Sequence, residues 1–161
     1  MIKTNKDGFF PYTPATNLLH GLVTAIDMLH EEGLDRVFAR HRRHGEATRR
    51  AVAAWGLEVL CRDAKYHSPV LTGVLMPDGH NADHARKVIL EHFDMSLGSG
   101  LGKVAGKIFR IGHLGDINDL TLIGTLGGVE MGLELAGVPV RRGGTQVAMD
   151  YLKSTSQPFA A

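Results

Sequence analysis

No intramolecular disulfide can form in this 161-residue chain, because Cys61 is its only cysteine, and a disulfide-stapled secreted scaffold is excluded with it. No apolar run approaches the roughly 20 residues that a helical membrane span needs. Charge of one sign is lacking too: 18 lysines and arginines face 17 aspartates and glutamates, for a net +1, which gives no global electrostatic case for nucleic acid. The opening MIKTNKDGFFPYTP has no signal-peptide pattern. A soluble, intracellular and cytoplasmic protein that engages neither membrane nor nucleic acid is expected. What is present, 43% hydrophobic against 22% charged residues, suffices for one globular domain with its own core, or for a piece of something larger.

Several chemical signatures fail on inspection. In GSGLGKVAG, Val104 follows Lys103 where a phosphate loop requires Ser or Thr. No GxSxG elbow occurs, and Cys61 has no local histidine pattern. His80 and His84 stand one helical turn apart, but a third metal ligand has no natural place, so capping and exposure explain them better than a metal does. His41 and His44 lie in the basic run RHRRHGEATRR, Arg40 to Arg50, which reads as a solvated helix face.

The order of elements points to an α+β fold. Thr13 before Pro14 reads as an N-cap with proline at the first helical position. Leu18, Leu19, Leu22, Ile26 and Leu29 follow at three- and four-residue steps, and Gly33 is the stop. A second helix runs to Gly56, then LEVL (57 to 60) and PVLTGVLMP (69 to 77) read as strands. A third helix, capped by Asn81 or Asp83, precedes the glycine-rich 96 to 107, read as a flexible loop beside a site. After the strand KIFRIGHLG (107 to 115), Asp116 is placed as cap of a fourth helix over roughly 117 to 136, with Asp119 in its first turn. That helix is apolar almost all round and is expected to be buried against several neighbours, in this chain or in another. A short helix around Val147 to Lys153 closes the series. Without strict strand–helix alternation, the arrangement is a small, mainly antiparallel sheet covered by helices.

Arg110 is the one puzzling residue. It interrupts the apolar strand residues Ile108, Phe109 and Ile111 and shares a face with Gly112. It is either a solvent-face residue or a charge aimed into a site.

FFPYTPATNLLHGL, EEGLDRVFARHRRHGEATRRAVAAWGLEV and SLGSGLGKVAGKIFRIGHLGDINDLTLIGTLGGVEM resemble the C-terminal part of the serine–glyoxylate aminotransferases. These are class V members of the fold type I pyridoxal-phosphate enzymes, related to alanine–glyoxylate aminotransferase, and the resemblance runs from about Lys3 to Tyr151. It implies that residues 1 to 13 form an interface and cofactor-proximal segment and that 14 to 161 form the small C-terminal domain. It implies that Arg110 binds the substrate's α-carboxylate, since a planar guanidinium grips both oxygens. It places Tyr12 and Thr13 near the cofactor phosphate, while Phe9 stands where some relatives have a tyrosine. The cofactor-binding lysine belongs to a large domain that this sequence does not contain, and Lys3, Lys6, Lys103 and Lys107 do not match it. The complete enzyme would move an amino group from a donor such as serine or alanine to glyoxylate. This chain would contribute the carboxylate clamp, part of the phosphate shell and oligomer contacts, and would be inactive alone. The alternative is a stand-alone, non-catalytic module that oligomerises or binds carboxylates.

Overall fold

The structure is a computed structural model that describes Lys3 and residues 6–156. It divides into two units, residues 1–37 and 38–161. In the first, α1 (Thr16–Glu32) buries none of its residues. Phe9, Phe10 and Tyr12 ahead of it are exposed, as are the members of its apolar stripe, Leu18, Leu22 and Ile26 among them. The helix also starts later than its sequence suggests. Ala15 occupies the N-cap with no side-chain cap bond, and the Thr16 N–H turns back to the Pro14 carbonyl at 2.9 Å. That turn leaves Pro14 outside the helix and the exposed Thr13 hydroxyl without a capping role.

The unit boundary falls within α2 (Leu34–Ala54). Beyond it the chain builds a four-stranded antiparallel sheet from β1 (Glu58–Val59), β2 (Leu71–Leu75), β3 (Gly98–Ser99) and β4 (Ile108–Gly112), ordered β1-β2-β4-β3. Three more helices complete it, α3 (Ala82–Phe93), α4 (Asp119–Leu135) and α5 (Gly144–Ser154), so α5 begins three residues before its expected start. Alternation decides the faces. Val74, Phe109 and Ile111 point into a core with Ala51, Val52, Trp55, Ile89, Leu122, Leu126, Val129, Leu133 and Leu152, and Arg110 points to the opposite face.

All three strands expected from sequence form, but shorter, and the glycine-rich stretch is more ordered than a flexible loop. It pairs Gly98 with Arg110 and Ser99 with Phe109, then tightens into a 3-10 turn over Gly102–Val104. Glycine is required at position 100, where a Cβ would collide with the Val104 carbonyl oxygen. Asn81 caps α3, its Oδ1 accepting from the Asp83 and His84 N–H groups at 2.7 and 3.2 Å. For α4 the cap is Asn118, which accepts from the Thr121 N–H at 2.9 Å, and not Asp116, which lies too early to reach the first turn. Within this chain α4 is buried along one face. Leu122, Leu126, Val129 and Leu133 pack inward, while Leu120, Met131 and Leu135 are exposed.

Candidate functional site

Arg110 sits in the middle of β4, opposite Gly73 of β2 and Gly98 of β3. Neither of these cross-strand partners carries a side chain of its own. Its Nε is buried with no hydrogen-bond partner, and among the described residues no carboxylate pairs with the group. With no carboxylate beside it, the guanidinium has its outer nitrogens open, and hydrogen bonds to an anion there would be charge-assisted. A shallow depression beside β2, lined by Arg49, Cys61, His67 and Gly73 among others, does not include Arg110.

The chain leaving β4 is pinned by α2, through residues that a solvated-face reading of RHRRHGEATRR misses. His41 and His44 are buried. The Arg40 guanidinium donates to the Gly115 and Ile117 carbonyls at 2.8 and 3.1 Å, and His41 Nε2 accepts from the Gly115 N–H at 3.1 Å. Arg43 grips Asp119 with two bonds of 2.6 Å and donates to the Leu152 carbonyl at 2.7 Å, tying α5 to the same point. His44 Nε2 stands 3.0 Å from Asp119 Oδ1. Burial holds the His44 pKa below its ordinary value even though Asp119 pulls the other way. For Asp119 burial acts upward, but the Arg43 and His44 hydrogen bonds outweigh it and the pKa falls. The legible signal was spacing: residues 40, 41, 44, 48, 51, 52 and 55 lie along one helical face, so basic and apolar side chains turn inward together.

His113, the residue that follows β4 and lies on its core-facing side, is fully buried. Its Nδ1 lies 3.0 Å from the Pro69 carbonyl and its Nε2 2.9 Å from the Thr72 hydroxyl. The carbonyl only accepts, so Nδ1 carries the hydrogen and Nε2 accepts from Thr72. Burial drives the pKa down to about 4, which keeps the ring neutral and the β2–β4 connection intact at pH 7.

Tyr12 and Thr13 belong to the first unit and Arg110 to the second. Tyr12 is 86% exposed and Thr13 is exposed as well, so both hydroxyls are open to a ligand. The two hydroxyls suit a phosphate only as donors completing a shell built by other residues. Among the described residues no group of histidine, cysteine, aspartate and glutamate could hold a metal ion, and no helix is long and apolar enough to cross a membrane.

No protein-family model matches the chain. It is 46% identical over 161 residues to the serine–glyoxylate aminotransferase of Hyphomicrobium methylovorum, covering 99% of this chain and 40% of that protein. It is 46% identical over 146 residues to the Arabidopsis thaliana enzyme of the same name, covering 90% and 36%. Among solved structures, pyridoxamine–pyruvate aminotransferase from Mesorhizobium loti superposes with a TM-score of 0.85 at 31% identity, covering 93% of this chain and 39% of that one. Ureidoglycine–glyoxylate aminotransferase from Bacillus subtilis gives 0.84 at 30% identity, covering 94% and 41%. The chain thus spans about two fifths of the length of the proteins it matches.

Proposed function

We propose, for a chain that belongs to the class V pyridoxal-phosphate aminotransferases and matches the C-terminal portion of their serine–glyoxylate members, that it is the small domain whose Arg110 binds the carboxylate of the amino acid and of the 2-oxo acid. The observation that carries this reading is the unpaired guanidinium on β4, flanked by Gly73 and Gly98. Two parallel charge-assisted bonds from a fixed fork orient a carboxylate as well as attract it, at about 1.5–3 kcal/mol per bond.

The cofactor supplies the electron sink for moving the amino group. Tyr12 and Thr13 contribute hydroxyl donors toward its phosphate, and residues 1 to 13 form the cofactor-proximal and interface segment ahead of the small domain, 14 to 161. The reactive lysine comes from a large cofactor-binding domain, which is the chain's principal partner. Glyoxylate is the amino acceptor in the assembled enzyme, by analogy with what the relatives are named for.

Two measurements test this. With the large domain present, Arg110→Lys is expected to raise KM for the amino acid by at least about tenfold, because an ammonium cannot reproduce the fork. An unchanged KM would remove the clamp. The chain alone, mixed with pyridoxal phosphate and treated with borohydride, is expected to show no cofactor fixed on a lysine and no transaminase turnover. Turnover from the chain alone would overturn the division of labour, whereas carboxylate binding without any need for a large domain would favour a stand-alone module.

A further inference from the structure

The two glycines beside Arg110 are not equivalent. Over Gly73 the space is already filled: a Cβ there would meet Leu60 Cβ at 3.4 Å and Ile108 Cδ1 at 3.8 Å, and no Arg110 atom is among its nearest neighbours. Over Gly98 the space belongs to Arg110, whose Cβ, Nε and Cζ would lie 3.0, 3.0 and 3.5 Å from an added Cβ. Arg110 therefore leans away from β2 and lies along the edge strand β3, using the place where a side chain would stand.

Position 98 does not need glycine for its backbone, since its φ is not in the left-handed region. What it needs is room. Facing Cβ atoms on neighbouring strands ordinarily stand about 4.5–5.5 Å apart, so a methyl group at 3.0 Å from both Cβ and Nε must displace the arginine. The same bed accounts for the sealed Nε. With that nitrogen closed off, a carboxylate can be held only end-on, by Nη1 and Nη2, and the line of approach is set by how the side chain lies over Gly98.

We propose that Gly98 is a positioning residue of the carboxylate site: its missing side chain is the bed that seals Arg110 Nε and aims Nη1 and Nη2 at the substrate. The proposal rests on the carboxylate reading of Arg110 and adds to it a residue that touches no substrate. Gly98→Ala is expected to lift the guanidinium and expose it.

The test uses the chain assembled with its cofactor-binding part, and compares Gly98→Ala with Arg110→Lys. Labelling of Arg110 by phenylglyoxal, followed by peptide mass spectrometry, is expected to run severalfold faster in Gly98→Ala. The amino-acid KM is expected to rise about tenfold while kcat stays within about twofold, the pattern of a lost binding geometry. If Gly98→Ala leaves labelling and KM at their original values while Arg110→Lys raises KM, the bed is overturned and the clamp stands. If Arg110→Lys leaves KM unchanged, both fall. A third measurement needs no variant: by nitrogen-15 NMR of the unaltered chain, the Arg110 Nε–H should exchange with water far more slowly than that of the exposed Arg62. Equal rates would overturn the bed even if Gly98→Ala failed to fold.

Discussion

Glu130 shows how much one side chain can fasten. Its carboxylate accepts from Trp55 Nε1 at 2.9 Å, from the Gly143 and Thr145 N–H groups at 2.6 and 2.8 Å, and from the Thr145 hydroxyl at 2.7 Å. It thereby joins α2, α4 and the start of α5, where the helix dipole also favours an anion. Burial acts to raise its pKa, but these donors outweigh that and bring it from the usual 4.5 to about 2. A depressed carboxylate pKa stabilises the fold above the unfolded value and loses that contribution as pH falls. Stability is therefore expected to decline between about pH 4.5 and pH 2 on this account. Glu130→Gln should cost about 1–3 kcal/mol at pH 7 and flatten that decline, as read from urea midpoints at several pH values. His113 acts in a higher window. Folded, it resists protonation down to about pH 4, while the unfolded chain takes up the proton near 6.5, so acidification from 6.5 to 4 favours unfolding. His113→Gln is expected to lower stability at pH 7 by about 1–3 kcal/mol, since Thr72 loses its partner, and to remove part of the slope between pH 6.5 and 4.

Helix α4 is the element whose two sides make opposite demands on the same residue type. At Gly132 a Cβ would run into Ile89 of α3, while at Gly124 it would meet nothing within 4 Å. Gly132→Ala is thus expected to destabilise by about 1–3 kcal/mol through overpacking. Gly124→Ala should stabilise by about 0.5–1 kcal/mol by restricting the unfolded chain and improving helix propensity. Thermal unfolding of the two variants checks the contrast. The sequence carried the existence of α4 and of the other helices through their apolar spacing, and the strand around Arg110 through its β-branched and aromatic residues. It did not carry the end points. Whether Asp116 or Asn118 caps depends on where the chain turns after β4, and that turn is set by Arg40 and His41, some 75 positions earlier. β3 was hidden for a similar reason: two residues, Gly98 and Ser99, have no strand periodicity and become a strand only because β4 offers them partners. The candidate site was half legible. Arg110 stood out as a charge among apolar neighbours, but the role of Gly98 needs three-dimensional adjacency across 12 positions of sequence.

At the scale of the molecule, the exposed apolar surface is unevenly placed. Phe9, Phe10, Tyr12, Leu18, Leu22, Val23 and Ile26 are all at least 42% exposed within one short stretch, and α1 buries nothing. Scattered exposed leucines are ordinary, whereas contiguous apolar patches of this kind are uncommon on soluble monomers. The chain by itself is expected to self-associate as its concentration rises, and Leu22→Glu with Ile26→Glu should reduce that association while leaving the unfolding temperature nearly unchanged. Sedimentation velocity and calorimetry on the same samples check both halves of that statement. A second feature governs what form the association takes. The sheet ends on both sides in strands of two residues, β1 and β3, so an intruding strand would find only a few free peptide groups to join. The ribbon edges, where fibrils are seeded, are accordingly kept too short to serve as a template.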